Sequence, residues 1–369
     1  MGRTQLKKKL ARKSQPVAAA APSGPSISAL LEKAQSLIVQ CDYELAQRFI
    51  TRILEKEPSN IIAKEMLGVT QLETGDIDAA RATFASFLDG PHPPPPSAHL
   101  YLAQLCEDDA QLALNHYQAA IEILTVQLKG KERAQGLPQD DDEEEIKSQI
   151  VGAFIGQVET WMDPRYELCD KPEAPEMCES LLQNALQVYP GNSEALQTLA
   201  SVRISQERPE EAKQCLEQAW LVWRDLDADD PKLPPIPARL GIVKLFLELR
   251  LYTPALIVLK EIMESDDQEI EAWYLEGWCF SLMATQARES GEEIDEMTWQ
   301  ELATNARDAL GTCQTLYEMA GEADDRLEHV KELIAELDAL GIQPSPPAEE
   351  GGDDEGEWED EEDEDVEMQ

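Results

Sequence analysis

The chain has 369 residues, 42% of them hydrophobic, enough for two or three ordinary domains or for one extended repeat array with a core. Against 31 Lys and Arg stand 74 Asp and Glu, a net charge of −43 that no folded domain needs for solubility alone. Such a field repels nucleic acid and anionic membranes and attracts basic proteins. No apolar run approaches the roughly 20 residues that span a bilayer, and the basic N-terminus lacks the apolar stretch of a secretory signal, so the sequence reads as soluble and intracellular. The seven cysteines, Cys41, Cys106, Cys169, Cys178, Cys215, Cys279 and Cys313, lack CxxC spacing and fall singly on predicted helices. They read as buried free thiols rather than as disulfides or metal ligands.

Residues 1–25 form the first predicted segment. It holds six bases and no acid in its opening 13 residues, then a Pro/Ala/Ser-rich linker. Lys7, Lys8, Lys9, Arg12 and Lys13 fit either a nuclear import signal or a solvated tail. Helical periodicity starts at Ser26, with Ala34, Leu37, Tyr43, Ala46, Ile50 and Ile53 leading to Pro58. Ile61 to Leu88 repeats the pattern most clearly. Two amphipathic helices hinge at Thr74-Gly75-Asp76, with Gly68 opposite Ala79 and Ala80 and with Leu67, Leu72, Phe84 and Phe87 around the contact. This arrangement resembles the tetratricopeptide repeat, whose period is about 34 residues.

Pro93 to Pro96 break the helices, and a third hairpin follows over Ser97 to Leu128. Residues 129–145 form an acidic insertion, where Asp140 to Glu145 suit the positive end of the next helix. The fourth hairpin has a first helix from Glu145 to Met162 and an irregular connection to Pro175. The fifth turns at Gln206 to Pro209, and its second helix is expected to run on through Trp220 and Trp223. The sixth and seventh follow, the seventh with Trp273 and Gly277 four apart and an insertion over Ala287 to Met297. Ala323 to Leu340 reads as a capping helix. The expected fold is therefore all-α: a tetratricopeptide-repeat superhelix of about seven helical hairpins plus a C-terminal capping helix over 26–340. Residues 341–369 carry no Lys or Arg and fourteen acids, the composition of a disordered tail. Setting aside those acids and the six N-terminal bases leaves −35 on the body. The acidity belongs to the repeats.

Catalytic frames are missing. His92, His99, His116 and His329 are scattered, no HExxH occurs, and GxGxxG, GxxxxGK[ST] and GxSxG are absent. No catalytic residue, cofactor or metal is expected, and the chain reads as a binding protein rather than an enzyme. Aligned repeats turn Glu65, Tyr101, Phe154, Trp161, Glu194, Glu248, Glu271, Tyr274 and Trp278 toward the groove lined by first helices. Carboxylates among aromatics can hold Lys and Arg by charge-assisted bonds and cation–π contact. For each residue the alternative is inter-repeat packing or a solvated helix face.

The repeats from Ser26 to Leu340, the acidic Glu349 to Glu367 and the net charge together resemble the fungal assembly chaperones of ribosomal large-subunit protein L-four. The resemblance implies a dedicated chaperone that holds the client's long internal loop in its acidic groove until incorporation into pre-ribosomes. It also implies that client and chaperone enter the nucleus together, and the expected state is a monomer in a 1:1 complex with its client, in cytoplasm and nucleus, with an import receptor as a further partner. Direct contact with nucleic acid or membrane is not expected. Two other classes fit the residues: a scaffold subunit whose groove takes an apolar helix, and a histone or chromatin chaperone.

Overall fold

The structure, a computed structural model, describes residues 25–90, 92–133, 141–321 and 325–346. Among these, fifteen α-helices and one short 3-10 turn make up the regular structure, with a single isolated β-bridge between Ile294 and Met297. The all-α repeat class expected from the sequence is the one found. None of the described helices is long and apolar enough to cross a membrane. The basic cluster Lys7 to Lys13, residues 134–140 of the acidic insertion and the acidic run from Glu349 lie outside the described residues.

Two compact units divide the chain, Met1–Gln206 and Glu207–Gln369. The first holds α1 (Ile27–Val39), α2 (Tyr43–Lys56), α3 (Ile61–Glu73), α4 (Ile77–Ala85), α5 (Pro96–Gln104), α6 (Ala110–Arg133), α7 (Asp141–Met162), α8 (Ala174–Val188) and α9 (Ser193–Ser205). In the second are α10 (Pro209–Leu221), α11 (Ile236–Glu248), α12 (Tyr252–Ser265), α13 (Ile270–Ser290), α14 (Trp299–Ala320) and α15 (Asp325–Ala339). Within each unit successive helices pack on one another, and the first helices of neighbouring hairpins also touch, α1 with α3 and α11 with α13 among them.

Local chemistry sets the helix starts. Ser26, Asp42, Asn60, Asp76 and Asn192 each place a side-chain oxygen to accept from a backbone N–H in the first turn, and Thr298 and Glu301 form a reciprocal capping box on α14. Three helix ends share one geometry. Cys41, Gly75 and Arg250 all adopt left-handed backbone, with φ of 57°, 78° and 58°. The next N–H then reaches back to close the helix: Asp42 to the Leu37 carbonyl at 2.9 Å, Asp76 to Gln71 at 2.8 Å and Leu251 to Phe246 at 2.8 Å. Only Gly75 announces this turn in the sequence.

Packing follows a small-against-large rule. A Cβ on Gly68 would overlap the Phe84 ring, one on Gly156 would overlap Tyr117, and one on Gly277 would lie 2.6 Å from Leu310 Cγ. Leu30, Ala34 and Leu37 meet Ala46, Ile50 and Ile53 to form the first core, and Ala80, Phe84 and Phe87 meet Ala98, Leu102 and Leu105 in the next. In the second unit Phe246, Leu259, Ile262, Leu275, Leu302, Leu310 and Val330 are buried along the helix stack.

Several boundaries differ from the sequence reading. α6 continues through Arg133, into the stretch expected to break periodicity, and α7 begins at Asp141, so the acidic residues open that helix where its dipole favours them. α10 stops at Leu221, and Trp223 sits in a turn with 3% exposure instead of continuing the helix. α13 extends to Ser290, through part of the expected insertion, and Gly291 ends it in left-handed backbone. The thiols are also mixed: Cys178, Cys215, Cys279 and Cys313 are buried, whereas Cys41 is exposed and Cys106 and Cys169 are half-buried.

Candidate functional site

In the first unit Glu65 and Tyr101 stand close to neighbours of their own chain. The Ser97 hydroxyl donates to the Glu65 carboxylate, and the Tyr101 ring stacks on Phe84 at 4.5 Å with planes 17° apart. Burial, then the Glu65 and Glu73 charges, raise the Tyr101 phenol. Phe154 is only 8% exposed and belongs to the core, where it offers little to a partner. The Trp161 face is covered by a cation of the chain itself, Lys171, whose ammonium lies 5.8 Å from the ring centre.

In the first unit Glu194, at the start of α9, is the predicted acid that remains open. Its neighbour is Glu159 on α7, which the sequence reading passed over. Burial raises the Glu194 carboxyl, and burial followed by the Glu194 charge raises Glu159. Both carboxylates are exposed by area, yet protein crowds them enough to weaken their hydration. Neither has an ion-pair partner among the described residues. Two partly desolvated like charges in this position are relieved by a cation.

The second unit brings three predicted residues together and occupies them. Glu271 accepts from Lys244 of α11 at 2.7 Å and from Arg326 of α15 at 3.2 Å. One turn further along α13, the Tyr274 hydroxyl and His329 Nδ1 are hydrogen-bonded at 2.8 Å. Tyr274 and Trp278 stack at 6.0 Å, and His329 meets both rings edge-on at 5.8 and 6.2 Å. The capping helix therefore lines this face along with the repeats. Glu248, the last residue of α11, stands exposed without an ion-pair partner among the described residues.

Histidines read as scattered turn out to meet. His99 on α5 and His116 on α6 place their Nδ1 atoms 3.0 Å apart, and burial lowers both pKa values, with the His116 charge adding to the effect on His99. His116 is thus a helix-contact residue rather than a free surface one. Among the described residues no group of three or more His, Cys, Asp or Glu is placed to hold a metal ion. The missed participants, Glu159, Lys244, Arg326 and His329, have one property in common. Each stands against a residue that the repeat alignment did pick, on a neighbouring helix.

Residues 179–229 match the tetratricopeptide repeat family. The chain is 32% identical over 303 residues to the "Probable assembly chaperone of rpl4" of Schizosaccharomyces pombe, a match that covers 80% of this chain and 85% of that protein. A protein of the same name from Emericella nidulans is 37% identical over 199 residues, 51% of this chain and 52% of its own. Among solved structures, an assembly chaperone of RpL4 is similar at 29% identity with a TM-score of 0.61, across 72% of this chain and 100% of that one.

Proposed function

The chain belongs to the family of the assembly chaperones of rpl4, and from that premise we propose that it holds the newly made, highly basic ribosomal protein rpl4 until incorporation into pre-ribosomes. The observation that carries the reading is electrostatic. The body keeps a large negative charge, and Glu159, Glu194 and Glu248 present carboxylates with no cation of their own among the described residues.

A free ribosomal extension is rich in Lys and Arg and poor in apolar residues, so by itself it stays disordered and binds RNA indiscriminately. Carboxylates on a rigid helical face neutralise it and exclude RNA by like-charge repulsion. Release follows when pre-ribosomal RNA supplies a denser array of phosphates. The work is done by binding, without a catalytic step or a cofactor. We assign the repeat body to 26–340, an import role to the basic residues Lys7 to Lys13, and an extension of the acidic field to 341–369. On this reading one chaperone carries one client between cytoplasm and nucleus.

Affinity purification of the full chain with mass spectrometry tests the client, and a salt titration tests the mechanism. We expect rpl4 as the main specific partner and an affinity that falls steeply between about 50 and 300 mM salt. Recovery of histones in its place, or tight binding indifferent to salt, overturns the reading.

A further inference from the structure

A cavity of about 240 Å³ lies in the first unit where the ends of α5 and α7 meet the start of α6. Its floor is small by sequence, with Ala103, Ala113 and Gly156, and the missing side chain of Gly156 is what lets the hydroxyl end of the Tyr117 ring come up against α7. Tyr117 is 6% exposed and lines the cavity, but its hydroxyl has no hydrogen-bond partner among the described residues. The ring is held by the core while its oxygen is left open to the cavity, so the hydroxyl is free to pair with a group that enters there.

The charges of the lining are unequal. Arg165 is locked to Asp163 by side-chain bonds of 2.7 to 3.1 Å, so these two charges cancel. Glu159 is left as the uncompensated charge of the wall. Tyr166 donates its hydroxyl to the Cys106 carbonyl at 2.6 Å, which fastens the 3-10 turn Pro164–Tyr166 to the end of α5 and fixes that wall.

Resting on the client-binding reading above, we propose that this cavity is the seat of one arginine side chain of the client. A guanidinium is flat, carries several N–H donors in one plane and is weakly hydrated. It can donate to the Glu159 carboxylate and to the Tyr117 oxygen at once while its face rests on an aromatic ring. The compact, strongly hydrated ammonium of lysine satisfies Glu159 alone.

The test uses the full chain with N-acetyl-arginine methylamide as probe and its lysine and neutral citrulline counterparts as controls, followed by NMR of the Tyr117 and Tyr166 ring signals. The arginine probe shifts both rings saturably, lysine does so more weakly, and citrulline does not. Glu159→Gln and Tyr117→Phe, both close to isosteric, each weaken the arginine probe by about tenfold and weaken rpl4 in the same order. Equal response to arginine and citrulline, or unchanged probe binding in both variants, overturns the seat. A parent chain that takes the arginine probe but not rpl4 removes the client and keeps the seat. Full rpl4 affinity in Glu159→Gln removes the seat's role and keeps the client.

Discussion

Glu276 is half-buried on α13, and desolvation lifts its carboxyl from the ordinary range to about 7. Its folded-state value lies above its unfolded one, so the fold favours the protonated acid. The stability it contributes is fully present below about pH 4.5 and is lost as pH rises through 7. Glu276→Gln copies the protonated form. Denaturant unfolding should show the variant more stable than the parent at about pH 8, by at most ~3 kcal/mol, with the difference gone near pH 4.5. A difference of the same size at both pH values contradicts the desolvated acid. In the sequence this residue was illegible, because in a chain with 74 acids a single misplaced carboxylate has no contrast. The same crowding of acids hid Glu159 behind its more conspicuous neighbour Trp161.

At the scale of the helix hairpin, close approach is the controlling feature. Gly68 leaves room for the Phe84 ring between α3 and α4, and Phe84 is fully buried, so a methyl group at 68 has to push the ring or part the helices. Gly68→Ala should therefore lower stability by about 1–3 kcal/mol, read by urea unfolding, even though alanine is the better helix former. An unchanged or raised midpoint would show that the ring relaxes freely. The close approach was readable beforehand as Gly68 against Ala79 and Ala80, with Phe84 among the residues around it; that the Phe84 ring itself takes the space of the missing side chain shows only in the structure. The turns were readable only in part. Gly75 announces its left-handed backbone, whereas Cys41 and Arg250 adopt the same backbone at a cost of about 1–2 kcal/mol each and carry no marker for it. The helix end at Leu221 was misplaced for a related reason: apolar periodicity continues past it into a packed turn, where Trp223 is buried without being helical. At Ser290 the miss runs the other way, because the helix continues through residues whose polar character reads as an insertion.

Over the whole molecule, one electrostatic imbalance acts on two equilibria with opposite signs. Like charges repel within the folded chain, so salt stabilises it, and the same salt screens the attraction for a basic client. Raising salt from about 20 to about 500 mM should raise the thermal midpoint while weakening client binding, and a midpoint that falls would mean that internal ion pairs outweigh the repulsion. The sequence made this imbalance legible from composition alone. It could not say which carboxylates are already spent, because that depends on which helices become neighbours. Glu271 is held between Lys244 and Arg326. A basic segment arriving there meets something like a loaded ion-exchange resin: it can bind only by evicting a counterion the protein already carries. Binding at that position is a swap, and a swap discriminates between guests more by shape than by charge.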